Sequence, residues 1–159
     1  MLRLIMNRVI LRKLDIDDRP NVLEMLQDAE VMQFLGPRRG LSISEAQEWF
    51  QHEYENPSRF AIASKATNEF IGFCGIKNID GVLDFGYFFR KSFWGQGLAT
   101  EACKTVVQTL EKEVDFKEVE VFIAKANKAS IAVASKLGWH MLKEATKENE
   151  PGYYYRVSM

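Results

Sequence analysis

Two rhythms of apolar residues alternate along this chain, one helical and one extended. Val9, Ile10, Leu11 and Leu14 predict a first strand over Val9–Leu14. Asp15-Ile16-Asp17-Asp18 then offers helix caps, with Pro20 in the first turn. Val22, Met25, Leu26 and Ala29 predict the apolar face of that helix. Gly36-Pro37 and Gly40 predict a loop. Ser42 followed by Glu45 makes a capping box, in which each side chain satisfies the other's free backbone N–H. Ile43, Ala46, Phe50 and Tyr54 form the stripe of the helix that follows. Asn56-Pro57 ends it, because the residue before a proline is pushed out of the α region.

The rhythm then shortens to that of strands, predicted at Phe60–Ser64, Phe70–Lys77 and Val82–Phe89. Thr67-Asn68 and Asp80-Gly81 lie between them and suit antiparallel hairpins. Leu98, Ala102, Val106 and Leu110 predict a long helix over Leu98–Lys112. A strand is expected over Val119–Ala124. A helix is expected over Lys128–Leu137, capped by Asn127 and stopped by Gly138. Trp139–Lys143 and Tyr153–Val157 close the chain as strands. The order β-α-α-β-β-β-α-β-α-β-β predicts an α/β (α+β) fold. Its centre is a mixed, mostly antiparallel sheet of about six to seven strands flanked by helices.

Composition narrows the classes. The 159 residues fit one domain, expected over 1–159 with no repeat or linker. A formal net charge of −1, from 21 basic and 22 acidic residues, points away from nucleic acid and from membrane surfaces. The stretch from Met1 to Arg8 is too short and interrupted for a signal peptide, and no apolar run reaches the roughly 20 residues of a spanning helix. A cytoplasmic protein is the expectation. Cys74 and Cys103 lack paired spacing and sit among apolar residues, so they read as core thiols rather than disulfide partners or acyl carriers. His52 and His140 lie far apart, and no metal site is expected.

The candidate chemistry lies where the Val82–Phe89 strand runs through Trp94-Gly95-Gln96-Gly97 into the long helix. Such a turn presents backbone N–H groups at the positive end of a helix, and glycines let an anion approach closely. That suits a pyrophosphate. No Gly-Lys-Ser or Gly-Lys-Thr closes the turn, so it is not a Walker loop, and the G-x-G-x-x-G spacing of dinucleotide sites is absent.

The residues around this turn resemble the GNAT acetyltransferase superfamily, in particular its ribosomal-protein N-acetyltransferase-like branch, over nearly the whole chain. Arg8-Val9-Ile10-Leu11-Arg12 with Asp17-Asp18 looks like the branch's opening strand and first helix. Asp84-Phe85-Gly86-Tyr87 resembles its fourth strand, where Glu-Ile-Gly-Tyr is usual. Phe93 to Ala102 resembles its coenzyme A motif, with Trp94, Gly97 and Ala99 on the pattern Gln/Arg-x-x-Gly-x-Gly/Ala. Trp94 departs from the superfamily's Gln or Arg but is typical of the branch. Asn127, Ser130 and Lys136-Leu137-Gly138-Trp139 are similar to its last helix.

The resemblance implies acetyl-coenzyme A as co-substrate, an amine as acceptor, and a monomer or homodimer. It puts the pyrophosphate on Trp94, Gly95, Gln96, Gly97, Leu98, Ala99 and Thr100. The pantetheine arm then runs along Tyr87, Phe88 and Phe89, with Asn127 and Ser130 beside it. The thioester oxygen meets a backbone N–H near Phe88 or Phe89. Attack needs a neutral amine, and Asp84 stands where the branch carries Glu, which makes it the candidate base. The superfamily's helix tyrosine is replaced by Ala134, which leaves Ser130 as the nearest polar group for the acid side. Glu101 reads as structural. Trp49 and Tyr54 fall on a helix that walls the acceptor site in the family, and one of Tyr153, Tyr154 and Tyr155 is expected at the acceptor cleft. Two other classes stay open: a coenzyme A-binding sensor without catalysis, and an interaction domain that binds no nucleotide.

Overall fold

The strands of the computed structural model, which describes residues 7–157, are β1 (Val9–Arg12), β2 (Phe60–Ser64), β3 (Phe70–Ile79), β4 (Val82–Phe89), β5 (Glu120–Ala124), β6 (His140–Lys147) and β7 (Glu150–Arg156). The helices are α1 (Arg19–Gln27), α2 (Ile43–Glu55), α3 (Leu98–Leu110) and α4 (Lys128–Lys136). The stretch from Met1 to Met6 falls outside the described residues. The sheet is seven-stranded, in the order β1-β2-β3-β4-β5-β7-β6. Every neighbouring pair is antiparallel except β4–β5. The α/β fold with a mixed, mostly antiparallel sheet is therefore as expected.

Alternation along the strands splits the core in two. Ile62, Cys74, Phe85 and Phe89 face Leu98, Ala102 and Val106 of α3 and Ala134 of α4. Their neighbours Ala61 and Phe73, with Phe70, face Val22, Met25 and Leu26 of α1 and Ala46 and Phe50 of α2. Period-2 side-chain placement makes this split possible within single strands. Phe50, Phe70, Phe73 and Phe85 are each under 2% exposed and stabilise the fold by about 2 kcal/mol apiece.

Most boundaries fall within two residues of expectation, with β1 ending at Arg12 and α3 at Leu110; the larger departures are at α1 and in the closing strands. Helix α1 stops at Gln27, and Ala29 is exposed rather than on its apolar face. Asp28 turns the chain there: its backbone is extended, and its carboxylate accepts from the N–H groups of Glu30 and Val31. Val31 and Met32 are buried in place of Ala29. Strand β3 runs on to Ile79. The closing strands form one long hairpin, β6–β7, through Glu148 (φ 49°) and Asn149 (φ 68°). That turn carries no glycine, so it gave no sequence signal of the usual kind.

Candidate functional site

Strands β4 and β5 touch at one ladder position, Asp84 opposite Glu120. Beyond it they diverge, and the β4 edge toward Tyr87–Phe89 has no strand partner among the described residues. A splayed edge exposes backbone groups that a ligand can pair with.

At the open end β4 passes through a short turn, Lys91–Phe93, into the N-terminus of α3. Trp94 fixes the turn, its Nε1 donating to the Phe89 carbonyl at 3.0 Å. Gly97 holds the helix-cap position in the left-handed conformation (φ 78°), with no side-chain cap. A left-handed cap costs a residue with Cβ about 1–2 kcal/mol, which explains the glycine. No atom lies within 4 Å of where a Cβ on Gly95 would stand, so the space in front of the turn is open.

The turn is also held from behind. The Arg8 guanidinium donates to the Gln96 carbonyl at 2.8 Å and to Glu101 Oε1 at 2.9 Å. Glu101 Oε2 accepts from the backbone N–H groups of Arg8 and Val9 at 2.6 and 3.1 Å. Glu101 thus ties the start of β1 to the first turns of α3, the structural role expected of it.

A cavity of about 590 Å³ fills the splay. Tyr87, Phe88 and Phe89 line one side, and Trp94, Gly95 and Gly97 to Thr100 line the end. Asn127 and Ser130 line the other side. Gln96 is absent from the lining; its side chain turns back to the Ser92 carbonyl. Asn127 caps α4 with Oδ1, which accepts from the Ser130 N–H at 3.2 Å, and this leaves its amide nitrogen to donate elsewhere. The Tyr87 hydroxyl donates to Ser130 Oγ at 2.9 Å. Burial pushes the Tyr87 phenol well above its ordinary value.

Two features of the cavity had no sequence signal. Lys128 and Lys136, at the two ends of α4, place cations on its wall. Val31, Phe34 and Leu35, from the segment after α1, supply an apolar wall. That segment is pinned at both ends, by Glu30 to Lys91 and by Arg38 to Glu150 at 3.1 Å.

Other candidates lie away from the cavity. Asp84 faces the α1/α2 side, where its Oδ2 accepts from Arg59 at 2.7 Å. The Arg59 guanidinium lies flat on Gly86, where a Cβ would come within 2.9 Å of it. Trp49 packs edge-on against Phe73 and Phe88, and so reaches the cavity only through Phe88. Tyr54 stacks on Phe50 and is 39% exposed. Of the tyrosine run, Tyr153 and Tyr155 pack with the α3/α4 core, while Tyr154 turns to the other face against Phe122. Cys74 and Cys103 are buried core thiols 4.0 Å apart, and burial holds the Cys103 thiol well above its ordinary value.

This arrangement suits an elongated anionic ligand. Its charge would meet the α3 N-terminus and its arm the free β4 edge. Comparison with known proteins agrees. YkkB of Bacillus subtilis (strain 168), a protein of uncharacterized function, is 30% identical over 159 residues, covering 94% of this chain and 91% of its own. YdaF of the same organism carries a provisional ribosomal N-acetyltransferase name. It is 30% identical over 71 residues, 43% of this chain and 39% of its own. The crystal structure of a GNAT-family acetyltransferase from Bacillus anthracis superposes with a TM-score of 0.79 at 22% identity, covering 93% of each chain. AAC(6')-Ib in complex with ribostamycin and coenzyme A superposes with a TM-score of 0.72 at 18% identity, covering 93% of this chain and 92% of that one. The acetyltransferase (GNAT) domain family model matches residues 8–140, and the chain belongs to that family.

Proposed function

We propose that this protein moves the acetyl group of acetyl-coenzyme A directly onto a primary amine, as a member of the ribosomal-protein N-acetyltransferase-like branch. One observation carries the reading: the uncapped glycine turn, the free β4 edge and the start of α4 line a single cavity. The pyrophosphate lies on the N–H groups of Gly95 to Thr100. The pantetheine arm follows Tyr87 to Phe89, and the free amide of Asn127 donates to it. Lys128 and Lys136 are the cations at hand for further phosphate charge. AAC(6')-Ib holds ribostamycin and coenzyme A together on the same fold, which supports attack within a ternary complex. Branch membership rests on Trp94, the Asp84-Phe85-Gly86-Tyr87 strand and the partial likeness to YdaF.

The amine approaches from the α1/α2 face, with Trp49 and Tyr54 on the helix that walls this side. Asp84 is the base, acting through a chain of waters. It lies four residues before Phe88 on one strand, about 13 Å at 3.3 Å per residue, so it cannot touch an amine at the thioester. Asp84→Asn is expected to lower kcat about tenfold at neutral pH and less at alkaline pH, where amines deprotonate unaided. Rates measured across pH check this, and an equal loss throughout would remove Asp84 from the reaction.

A sensor without catalysis is the second reading. It rests on Ala134, which is fully buried and offers no hydroxyl from that turn of α4. Isothermal titration with acetyl-coenzyme A tests the cofactor. Thiol release over a panel of amines and N-terminal peptides separates enzyme from sensor. Absence of binding heat and of a thermal shift would sink both readings.

A further inference from the structure

Two hydroxyls meet across the splay between β4 and β5. Tyr87 stands on β4 and Ser130 in the first turn of α4, 43 residues later, with their oxygens 2.9 Å apart. Both line the cavity. Ser130 is the hydroxyl that α4 presents there, since Ser135 is exposed and Ala134 is buried. We propose that Tyr87 is a positioning residue: its phenol holds Ser130 so that the serine's own hydrogen points into the cavity, toward the sulfur that leaves during acetyl transfer. The proposal rests on the acetyl-transfer reading above and deepens it.

The direction of the bond follows from acidity. A phenol is a stronger donor than an aliphatic hydroxyl, and the aliphatic oxygen is the better acceptor. Tyr87 therefore gives its hydrogen to Ser130 Oγ. The ring is held against Phe89 at 6.2 Å between centroids and against the α3/α4 core, so the phenol has little freedom to turn away. Burial keeps it protonated through the working pH range. It can donate a hydrogen bond without surrendering the proton.

Ser130 then has one hydrogen left. Its backbone N–H is engaged by Asn127 Oδ1, which fixes the residue's orientation. Among the described hydrogen bonds no carbonyl of α4 takes the hydroxyl hydrogen, although serine in a helix often gives it to the turn before. The hydrogen is thus free to meet a ligand in the cavity.

In the reaction the amine nitrogen bonds to the thioester carbon, and the carbon–sulfur bond breaks as the tetrahedral intermediate collapses. The sulfur takes the electron pair and leaves as a thiolate, which accepts the Ser130 hydrogen bond. The amine sheds one proton to the base or to water, and the thiolate later gains one from water. Tyr87 and Ser130 keep their own protons throughout. A donor preset toward developing charge lowers the barrier without reorganising.

The test uses Tyr87→Phe, Ser130→Ala and the double variant. Tyr87→Phe keeps the ring, and its melting temperature reports whether the fold survives. The first measurement is ultraviolet titration of the coenzyme A thiol bound to the protein, which needs no turnover. The bound thiol should have a pKa below that of free coenzyme A. Each single variant should raise it by about half a unit, and the double variant should raise it no further. Where turnover is seen, kcat should fall about tenfold in each variant, with KM for acetyl-coenzyme A within about twofold. A bound thiol pKa in Tyr87→Phe equal to that of the wild type overturns the proposal alone, as do additive losses in the double variant. Failure of coenzyme A to bind the wild type overturns the acetyl-transfer reading, and this proposal with it.

Discussion

Helix α2 begins at Ser42, whose hydroxyl oxygen accepts from the Glu45 N–H at 3.1 Å, while the Glu45 carboxylate accepts from the Ser42 N–H at 2.8 Å. Helix α3 begins at Gly97, which has no side chain to offer. Both helices have 13 residues, and both carry free N–H groups and a partial positive charge at their start. In α2 those groups are answered by the chain itself, and the helix end is closed. In α3 they open on a cavity. An end left uncapped costs about 1 kcal/mol relative to a capped one, and an anionic ligand can recover it.

The contrast can be broken at several points. The largest effect is expected from Gly95→Glu, which puts a carboxylate into the open space in front of the turn and a Cβ at a left-handed position (φ 76°). Affinity for acetyl-coenzyme A should fall about a hundredfold or more, because like charges meet at short range. Titration calorimetry reads this, and unchanged affinity would refute the cradle.

Glu101→Ala is next. It removes the acceptor of two backbone N–H groups and of the Arg8 guanidinium, so the turn loses its support from behind. Stability should drop by about 2 kcal/mol in denaturant unfolding, with weaker cofactor binding alongside. Loss of stability with unaltered affinity would show that β1 does not steady the glycine turn.

Ser42→Ala is the matching change at the closed end. It should cost about 1 kcal/mol and leave acetyl-coenzyme A affinity as it was. A change in affinity there would mean that α2's start belongs to the site after all.

The smallest effect concerns pH. Hydrogen bonds from Arg39, and then from the Ser42 backbone, hold the exposed Glu45 carboxyl at about 2, below the usual 4.5. A folded-state value below the unfolded one means stability that is present above pH 4.5 and lost as pH falls toward 2. Glu45→Gln should flatten that part of the acid-unfolding curve. An unchanged slope would show that the pair adds nothing measurable, as exposed ion pairs often do.

The closed end was plain from the sequence, because a capping box is a local pattern with fixed spacing. So were the glycine turn and Asn127, each of which works through its own backbone neighbourhood. Less local features were illegible. Ala29 fits a helical stripe by spacing, yet Asp28 ends the helix before it. Glu148 and Asn149 make a tight turn without glycine, so the sequence pattern does not show that β6 and β7 run on to meet there. Val31, Phe34 and Leu35 lie outside regular structure, where no period marks an apolar wall. The approach of Tyr87 to Ser130 depends on how far β4 and β5 diverge, and no single segment encodes that. Asp84 stands on the expected strand, but its pairing with Arg59 comes from a residue that carried no motif.

The single ladder position between Asp84 and Glu120 has a mechanical meaning. The strands form two leaves, β1 to β4 and β5 to β7, joined by one rung of main-chain pairing and by the core they share under α3 and α4. Most rigid sheets are stitched along their whole seam. Here the stitching stops where the cavity begins, and the unpaired main-chain groups of the β4 edge are left for a guest molecule to meet. A guest seated along that edge would carry the hydrogen bonding of the sheet across the gap, as an added strand would.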